Sequence, residues 1–276
     1  MQTLELLSEL DNLNLSSEPY TKAESIVDQL CEYYNLTVPL TFKTVIIRAR
    51  CNEGNIHFSS KCDLTYPPKS NCKKCGRAAL PNEQMFYACT FENGNMPQSL
   101  MAAAIESNFS IENHLRITFG YWRVKKEIEL IVVLPNKNLT NLSPAATILK
   151  NKFLNIVNKI EPVKLRDSSI AIANYFSNNF SKKVIDGCEY EYILSATFSN
   201  YLIKRGFDGI LYPSVHFNGE VLNIALSPEV ADTSLELEGV REYKFSHNTF
   251  YPEFYIDLYP GQTQFQLLPN PRFEGK

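Results

Sequence analysis

The sequence predicts an α+β fold, in which helices and strands follow one another without a regular order. Three observations support this prediction. Helical periodicity dominates residues 1–40, 143–183 and 189–205, short β-rich runs lie between and after these segments, and the runs are separated by unequal stretches. A doubly wound parallel sheet would instead alternate strands and helices regularly. With 44% hydrophobic and 21% charged residues, the composition is sufficient for a packed core.

Residues 1–40 are predicted to form helices. Thr21 and Glu24 have the spacing of a capping box, so a second helix is expected to begin there. Pro39 is expected to end this helix, because proline interrupts the helical hydrogen bonds. The apolar positions at helical spacing are Leu4, Leu7, Leu10, Ile26 and Leu30. We therefore assign residues 1–40 to an N-terminal helical extension.

The central part of the chain is predicted to contain short strands, loops and one helix. β-Branched residues favour a strand over residues 42–50, and glycine and proline favour a loop over residues 51–82. The remaining elements expected here are a strand at 85–89, a helix at 98–107, and strands at 115–124 and 128–134.

The C-terminal half begins with a helix start at Ser143, an N-cap residue followed by proline at the first helical position. Gly206 is suited to the C-cap of the helix at 189–205. Strands are expected at 209–212 and 220–226, and the aromatic and proline-rich tail at 246–276 is expected to be extended. The resulting domain prediction is an extension at 1–40, a main domain at 41–245 and a tail at 246–276.

Composition excludes several functional classes. The net charge is −3 and the basic residues are scattered, so neither direct nucleic-acid binding nor membrane binding is expected. The longest apolar run, residues 130–134, is too short to span a bilayer. The N-terminus lacks the features of a secretory signal, and seven cysteines in a chain of this size indicate reduced thiols. We expect a cytoplasmic protein; homo-oligomer formation stays open.

The cysteines between residues 51 and 75 allow three interpretations. The residues concerned are Cys51, Cys62, Cys72 and Cys75, with His57 nearby. They could hold a structural zinc ion, because four such ligands suit tetrahedral coordination. Cys72 and Cys75 could instead form a redox pair, or all four could be unconnected thiols in a loop. The spacing outside Cys72 and Cys75 matches no zinc module, so no metal is expected.

Three segments of the chain together resemble the RES domain, a family named for its arginine, glutamate and serine. The first segment is residues 46–50, with Arg48 and Arg50 on a strand. The second contains Gly76-Arg77-Ala78, Met85 to Cys89 and Ile105-Glu106-Ser107, and the third runs from Ser199 to Val215 through Ser214. The likeness extends over about residues 43–235. Arg48 and Arg50 both compete for the family arginine, and Arg48 is preferred because an apolar residue precedes it directly. Glu92 is the alternative to Glu106.

The resemblance implies an ADP-ribosyltransferase-like fold with a split sheet around a cleft and with NAD as substrate. Bacterial members of the RES family degrade NAD to nicotinamide and ADP-ribose products or transfer ADP-ribose to a protein. Many are toxins paired with an Xre-type antitoxin. The leading hypothesis is therefore an NAD-consuming enzyme, glycohydrolase or phosphorolytic. The alternatives are a mono-ADP-ribosyltransferase that modifies a protein and a catalytically silent RES-fold binding protein.

Cleavage of NAD would give each of these residues a chemical role. Cleavage of the nicotinamide bond builds positive charge on the ribose, which a carboxylate at Glu106 would offset. Arginine binds phosphate in a bidentate manner, so Arg48, Arg50 and Arg77 are candidates for the pyrophosphate. Tyr87 could stack on nicotinamide and Ser214 could contact the ribose or nicotinamide. Each residue also has an ordinary structural interpretation. Glu106 could be a solvated glutamate at a helix end, the arginines could be salt-bridged or solvated, Tyr87 could be a half-buried strand residue and Ser214 could cap a turn.

Overall fold

A computed structural model describes residues 2–17, 20–32, 39–41, 45–54, 56–90, 96–107, 116–246 and 249–271. The helices of these residues are α1 (Gln2–Asp11), α2 (Tyr20–Glu32), α3 (Lys61–Leu64), α4 (Met96–Glu106), α5 (Pro144–Val157), α6 (Val163–Phe180), α7 (Ile193–Lys204) and α8 (Pro228–Ser234). The strands are β1 (Pro39–Thr41), β2 (Val45–Cys51), β3 (Phe86–Thr90), β4 (Arg116–Val124), β5 (Glu129–Val132), β6 (Gly209–Pro213), β7 (Leu222–Leu226), β8 (Leu235–Ser246), β9 (Thr249–Asp257) and β10 (Leu268–Pro269). The α+β prediction is confirmed. None of these helices combines the length and the apolar character that a bilayer span requires.

The chain divides into two compact units, each built from separate stretches of sequence. Unit 1 contains Met1–Thr41, Pro67–Met85 and Glu129–Ser227. Unit 2 contains Phe42–Tyr66, Phe86–Ile128 and Pro228–Lys276. The units therefore cut across the domain boundaries expected at residues 41 and 246, since unit 1 includes the N-terminal helices and unit 2 includes the tail.

Unit 1 combines four strands of mixed orientation with most of the long helices. Strand β5 pairs antiparallel with β1 and parallel with β6, and β6 pairs antiparallel with β7. Helix α2 packs on α7, and α1 packs on α2 and α6. The buried side chains of this helical layer include Leu10, Ala23, Val27, Leu30 and Leu202. The N-terminal helices thus belong to the core of unit 1.

Unit 2 contains an antiparallel sheet with the strand order β3-β2-β4-β8-β9-β10. Strand β2 is interior, because β3 pairs with it on one side and β4 on the other. The pairing of β4 with β8 shifts register between Tyr121 and Trp122, where two residues of β8 oppose one step of β4. Helix α4 packs on β2 and β3.

The helix ends test the local sequence signals. Ser143 is the N-cap of α5 and its hydroxyl accepts a hydrogen bond from the Ala146 amide at 3.1 Å, as predicted. Gly206 follows α7 with a φ of 93°, the left-handed conformation that favours glycine. The capping box at Thr21 was wrong, because α2 already begins at Tyr20. Pro39 is the first residue of β1, and residues 33–38, between α2 and Pro39, lie outside the described residues.

Two other expectations need correction, and one strand was not expected. The segment 51–82 is not all loop, because it contains α3 and a short 3₁₀ turn at Lys69–Asn71. Residues 235–246 form β8, the longest strand described, for which the sequence analysis predicts no element. The tail is extended as expected, but β9 pairs with β8 along its length. A boundary at residue 246 would separate two paired strands.

Candidate functional site

Strand β2 presents two different faces, and both predicted arginines lie on the same one. Arg48 and Arg50 are two residues apart, and successive side chains of a strand point to opposite sides. We call their side the arginine face. The opposite side contains Ile47, Ala49 and Cys51, and we call it the α4 face, because Cys51 Sγ lies 3.5 Å from the carbonyl oxygen of Ser107, just after α4.

Arg48 is held by main-chain oxygens on the arginine face. Its Nε donates to the Thr65 carbonyl at 3.1 Å, and its Nη1 donates to the Tyr87 carbonyl at 2.6 Å. The guanidinium also lies 5.3 Å from the centre of the Phe86 ring. Burial, and then the positive charge of Arg50, lowers the pKa of Arg48. No carboxylate of the described residues pairs with Arg48.

Arg50 makes fewer contacts. Its Nη1 donates to the Asp63 carbonyl at 2.8 Å, and its guanidinium lies 6.0 Å from the Phe58 ring centre. A guanidinium carries five N–H donors, so this bond uses a small part of its capacity. The sequence favours Arg48 over Arg50, whereas in the structure Arg50 has the greater capacity to bind an anion.

Tyr87 and Glu106 lie on the other side of the sheet. Cys89 pairs with Ile47, and Tyr87 is two residues from Cys89, so both belong to the α4 face. Glu106 is the half-buried last residue of α4. Burial, and then the negative charge of Glu106, raises the pKa of the Cys89 thiol well above its ordinary value. The structure therefore brings Glu106 close to the strand that contains Tyr87.

The meeting of an arginine with Glu106 that the sequence predicts is not formed within unit 2. Arg48 and Arg50 point away from the face on which α4 packs, because the alternation of β2 sends them to its opposite side. Glu92, the alternative glutamate, lies outside the described residues. The individual roles of Arg48, Arg50, Tyr87 and Glu106 in catalysis or NAD binding stay predictions.

Arg77, in unit 1, holds two helices at their ends. Its Nη1 donates to the carbonyls of Phe180 and Lys182, the latter at 3.1 Å, and its Nη2 donates to the Tyr192 hydroxyl at 3.4 Å. The guanidinium lies 4.8 Å from the centre of the Tyr192 ring. Arg77 is only 8% exposed, so its contacts stabilise the interior of unit 1. Its phosphate role stays a prediction.

Ser214, also in unit 1, closes the turn that follows β6. Its amide donates to the Val221 carbonyl at 2.8 Å, and its carbonyl accepts from the Gly219 amide at 2.9 Å. Gly219 has a φ of 89°, which the turn requires and glycine tolerates. The Ser214 side chain is buried, so the turn fixes its position.

Comparison with known protein families finds a match that lies in the C-terminal half of the chain. Residues 153–246 match the family model of the RES domain. Over these residues the chain is similar to the RES domain family, in agreement with the resemblance in the sequence. No curated protein sequence matches the chain. The match includes Ser214 and the strands on both sides of its turn, whereas Arg48, Arg77, Tyr87 and Glu106 precede the matched residues.

Four cysteines upstream of the RES-domain match are the zinc ligands that the sequence allowed as one interpretation. All seven cysteines of the chain are free thiols. In the part of the chain that the structure describes, no three His, Cys, Asp or Glu side chains are grouped to bind a metal ion. The zinc interpretation of Cys51, Cys62, Cys72 and Cys75 thus has no support from side-chain positions in the described residues.

Sequence reasoning missed one polar cluster, centred on Glu242 of β8 within the RES-domain match. Glu242 is buried on the arginine face, opposite Thr118, which in turn lies opposite Arg50. Its partners are Asn52 Nδ2 at 2.9 Å, His57 Nδ1 at 2.8 Å, Thr118 Oγ1 at 3.3 Å and Arg116 Nε at 3.7 Å. The only available signal was the alternation of Leu235 and Leu237 with charged residues, which indicates a strand.

Proposed function

We propose that the chain is an NAD-consuming enzyme that cleaves the bond between nicotinamide and ribose. The observation that supports the proposal most strongly is the RES-domain match at residues 153–246. The proposed products are nicotinamide and an ADP-ribose product, with water or phosphate as the acceptor. NAD is thus a substrate in this proposal, and no metal is needed, because nicotinamide leaves as a neutral group and requires no Lewis acid.

Glu106 and Tyr87 are the proposed groups at the reacting end of NAD. Departure of nicotinamide leaves an oxocarbenium-like ribose, and a carboxylate close to it stabilises this charge more strongly than it stabilises the ground state. Glu106 is half-buried, so its charge would be less screened by water than that of a surface glutamate. The Tyr87 ring, on the same side of the sheet, would stack on the flat nicotinamide.

The arginines are not proposed to act at the reacting end of NAD. Arg48 and Arg77 are engaged by main-chain carbonyls, so their proposed contribution is to hold the surrounding segments. Arg50 is half-buried and could contact an anion, but it lies on the face of β2 opposite Glu106 and Tyr87, so it is not assigned to the reacting end of NAD. A Ser214→Ala variant tests the serine separately, with weaker NAD binding as the expected result.

The test is incubation of the purified chain with NAD, with and without phosphate, and chromatographic measurement of nicotinamide. We expect release by the wild type and a loss of about 10²-fold or more in Glu106→Gln, the scale of a removed electrostatic contact. Glu9→Gln on the exposed face of α1 is the matched control and should keep full activity. Absence of nicotinamide under both conditions would contradict the proposal and favour a silent binding protein.

Two further assays define the acceptor and the biological setting. Label from NAD fixed on a macromolecule in a lysate would indicate a mono-ADP-ribosyltransferase in place of a hydrolase or phosphorylase. For a bacterial toxin of a toxin–antitoxin pair, expression should arrest growth, Glu106→Gln should not, and an Xre-type antitoxin should restore growth. We propose a cytoplasmic location, in keeping with seven free thiols.

A further inference from the structure

The Glu242 cluster attaches a surface segment to the sheet of unit 2. We call residues 56–66 the strap. Its first residues bind the cluster, since Asn52 Nδ2 donates both to the Ile56 carbonyl and to Glu242, each at 2.9 Å, and His57 binds Glu242 directly. The far part of the strap supplies the carbonyls of Asp63 and Thr65 that hold Arg50 and Arg48.

The charge balance around Glu242 depends on His57. Glu242 is 0% exposed, and burial of a carboxylate is costly unless a positive charge lies beside it. Burial raises the pKa of Glu242, and the charge and hydrogen bond of His57 are the largest effects that oppose this rise. Arg116 is the next, but its Nε is 3.7 Å from Glu242 and only 2.8 Å from Glu253.

The other charged groups around the cluster do not replace His57. Arg50 on β2 donates to a main-chain carbonyl, and Lys244 on β8 is exposed and acts on Glu253. Thr118 on β4 contributes a neutral hydroxyl at 3.3 Å. The imidazole therefore supplies the charge that decides whether the buried carboxylate is compensated.

We propose that His57 and Glu242 form a proton-dependent latch for the strap. While the pair retains one proton, on the imidazole or on the carboxylate, no uncompensated charge is buried and the strap is held on the sheet. When that proton is lost to solvent, Glu242 stays as a buried carboxylate, and among the described residues its remaining cationic neighbour, Arg116, is shared with Glu253. The strap then loosens. Histidine side chains ordinarily change charge between about pH 5 and 8, so the latch is tighter under mildly acidic conditions.

The latch is independent of the proposed function. Release of the strap would free the Arg50 guanidinium and would remove one of the two carbonyl contacts of Arg48, because Tyr87 still holds Arg48. Both side chains lie on the face of β2 opposite α4, so no change in nicotinamide release is expected from the strap.

A built-in probe makes the latch measurable. Trp122 is the sole tryptophan of the chain, and Lys61 Nζ of the strap lies 5.5 Å from the centre of its ring. Movement of this ammonium away from the indole should change the emission spectrum. We expect the wild type to show a reversible change in Trp122 fluorescence as the pH rises from mildly acidic to mildly alkaline. Lys61→Met should largely remove the signal.

Hydrogen exchange of the full chain provides the second measurement. The strap amide of Lys61 donates to the Thr263 carbonyl at 2.8 Å and should report opening. After correction for the intrinsic rate, we expect roughly tenfold faster exchange in the strap at the higher pH, which corresponds to about one pK unit. In Glu242→Gln, which removes the charge but keeps the shape, this dependence should disappear and the strap should stay closed.

His57→Gln should open the strap at neutral pH and close it again only when Glu242 takes up a proton, so its transition should move to lower pH. His216→Gln, an exposed histidine outside the cluster, is the matched control and should behave as the wild type. The latch is overturned if Glu242→Gln keeps the wild-type transition, or if strap exchange does not change with pH. Nicotinamide release, measured separately, decides the proposed function without affecting this result.

Discussion

At the scale of single residues, the arginines of β2 show how a charge can be buried without a carboxylate. Arg48 and Arg50 place two guanidinium groups on one face, and main-chain carbonyls of Thr65, Tyr87 and Asp63 accept their hydrogen bonds. Carbonyl dipoles satisfy the donors but do not neutralise the charge, which explains why burial and mutual repulsion both lower the pKa of Arg48. The contacts that Arg48 and Arg50 make in the structure therefore hold the fold together, whether or not either side chain also binds a ligand.

Replacing each arginine by methionine separates these contributions. Arg48→Met leaves two carbonyls without their donors and should lower the free energy of unfolding by roughly 1–3 kcal/mol. Arg50→Met removes one bond of a half-buried group and should cost less than about 1 kcal/mol. Urea unfolding of both variants checks the prediction. An equal loss would show that the second carbonyl contact of Arg48, to Tyr87, does not add to the stability of the fold.

At the scale of elements, local signals predicted most helices and the ends of two of them. Ser143 and Gly206 act through their own neighbours in sequence, so their roles could be predicted without tertiary contacts. The strands were harder to place. In β8 a register shift changes the alternation, so Leu235, Leu237, Val240 and Glu242 share one face. Simple alternation from Leu237 would have turned Glu242 outwards, and the carboxylate of the latch was therefore missed.

The N-cap of α5 allows a direct test at this scale. Ser143→Ala should lower the free energy of unfolding by about 1 kcal/mol, because the Ala146 amide loses its acceptor in a buried position. Thr147→Ala, on the exposed side of the same helix, should be neutral or slightly stabilising, since alanine has the higher helix propensity. Thermal unfolding measures both, and similar stability of the two variants would contradict the capping role.

At the scale of the whole molecule, the N-terminal helices are part of unit 1 and not an appended segment. Leu30 is 0% exposed, and α2 packs along α7 within the RES-domain match. Thr3 and Asp11 of α1 bind Ser168 and Tyr175 of α6 at 3.0 and 2.9 Å. The boundary expected at residue 40 arose because a sequence pattern shows which face of a helix is apolar, but not which partner covers it.

Two leucines of this region should differ in their effect on stability. Leu30→Ala should lower the free energy of unfolding by about 2–5 kcal/mol, the usual effect of emptying a buried leucine site. Leu4→Ala, at a side chain that is 66% exposed, should change it by less than about 0.5 kcal/mol. Chemical denaturation of the full chain checks this. A small effect of Leu30→Ala would mean that the extension does not contribute to the stability of unit 1.

The sequence by itself determined the α+β class, the helix ends at Ser143 and Gly206, and the likeness to the RES domain, because these depend on periodicity, caps and short motifs. Only the tertiary structure decided that Arg48 and Arg50 lie on the face opposite α4, that the tail pairs with β8, and that Glu242 binds His57. The physical reason is that the side of a strand a residue occupies depends on pairing, and a one-residue register shift reverses it. Such pairings join residues as far apart as 52 and 242, and neither neighbourhood alone specifies the other.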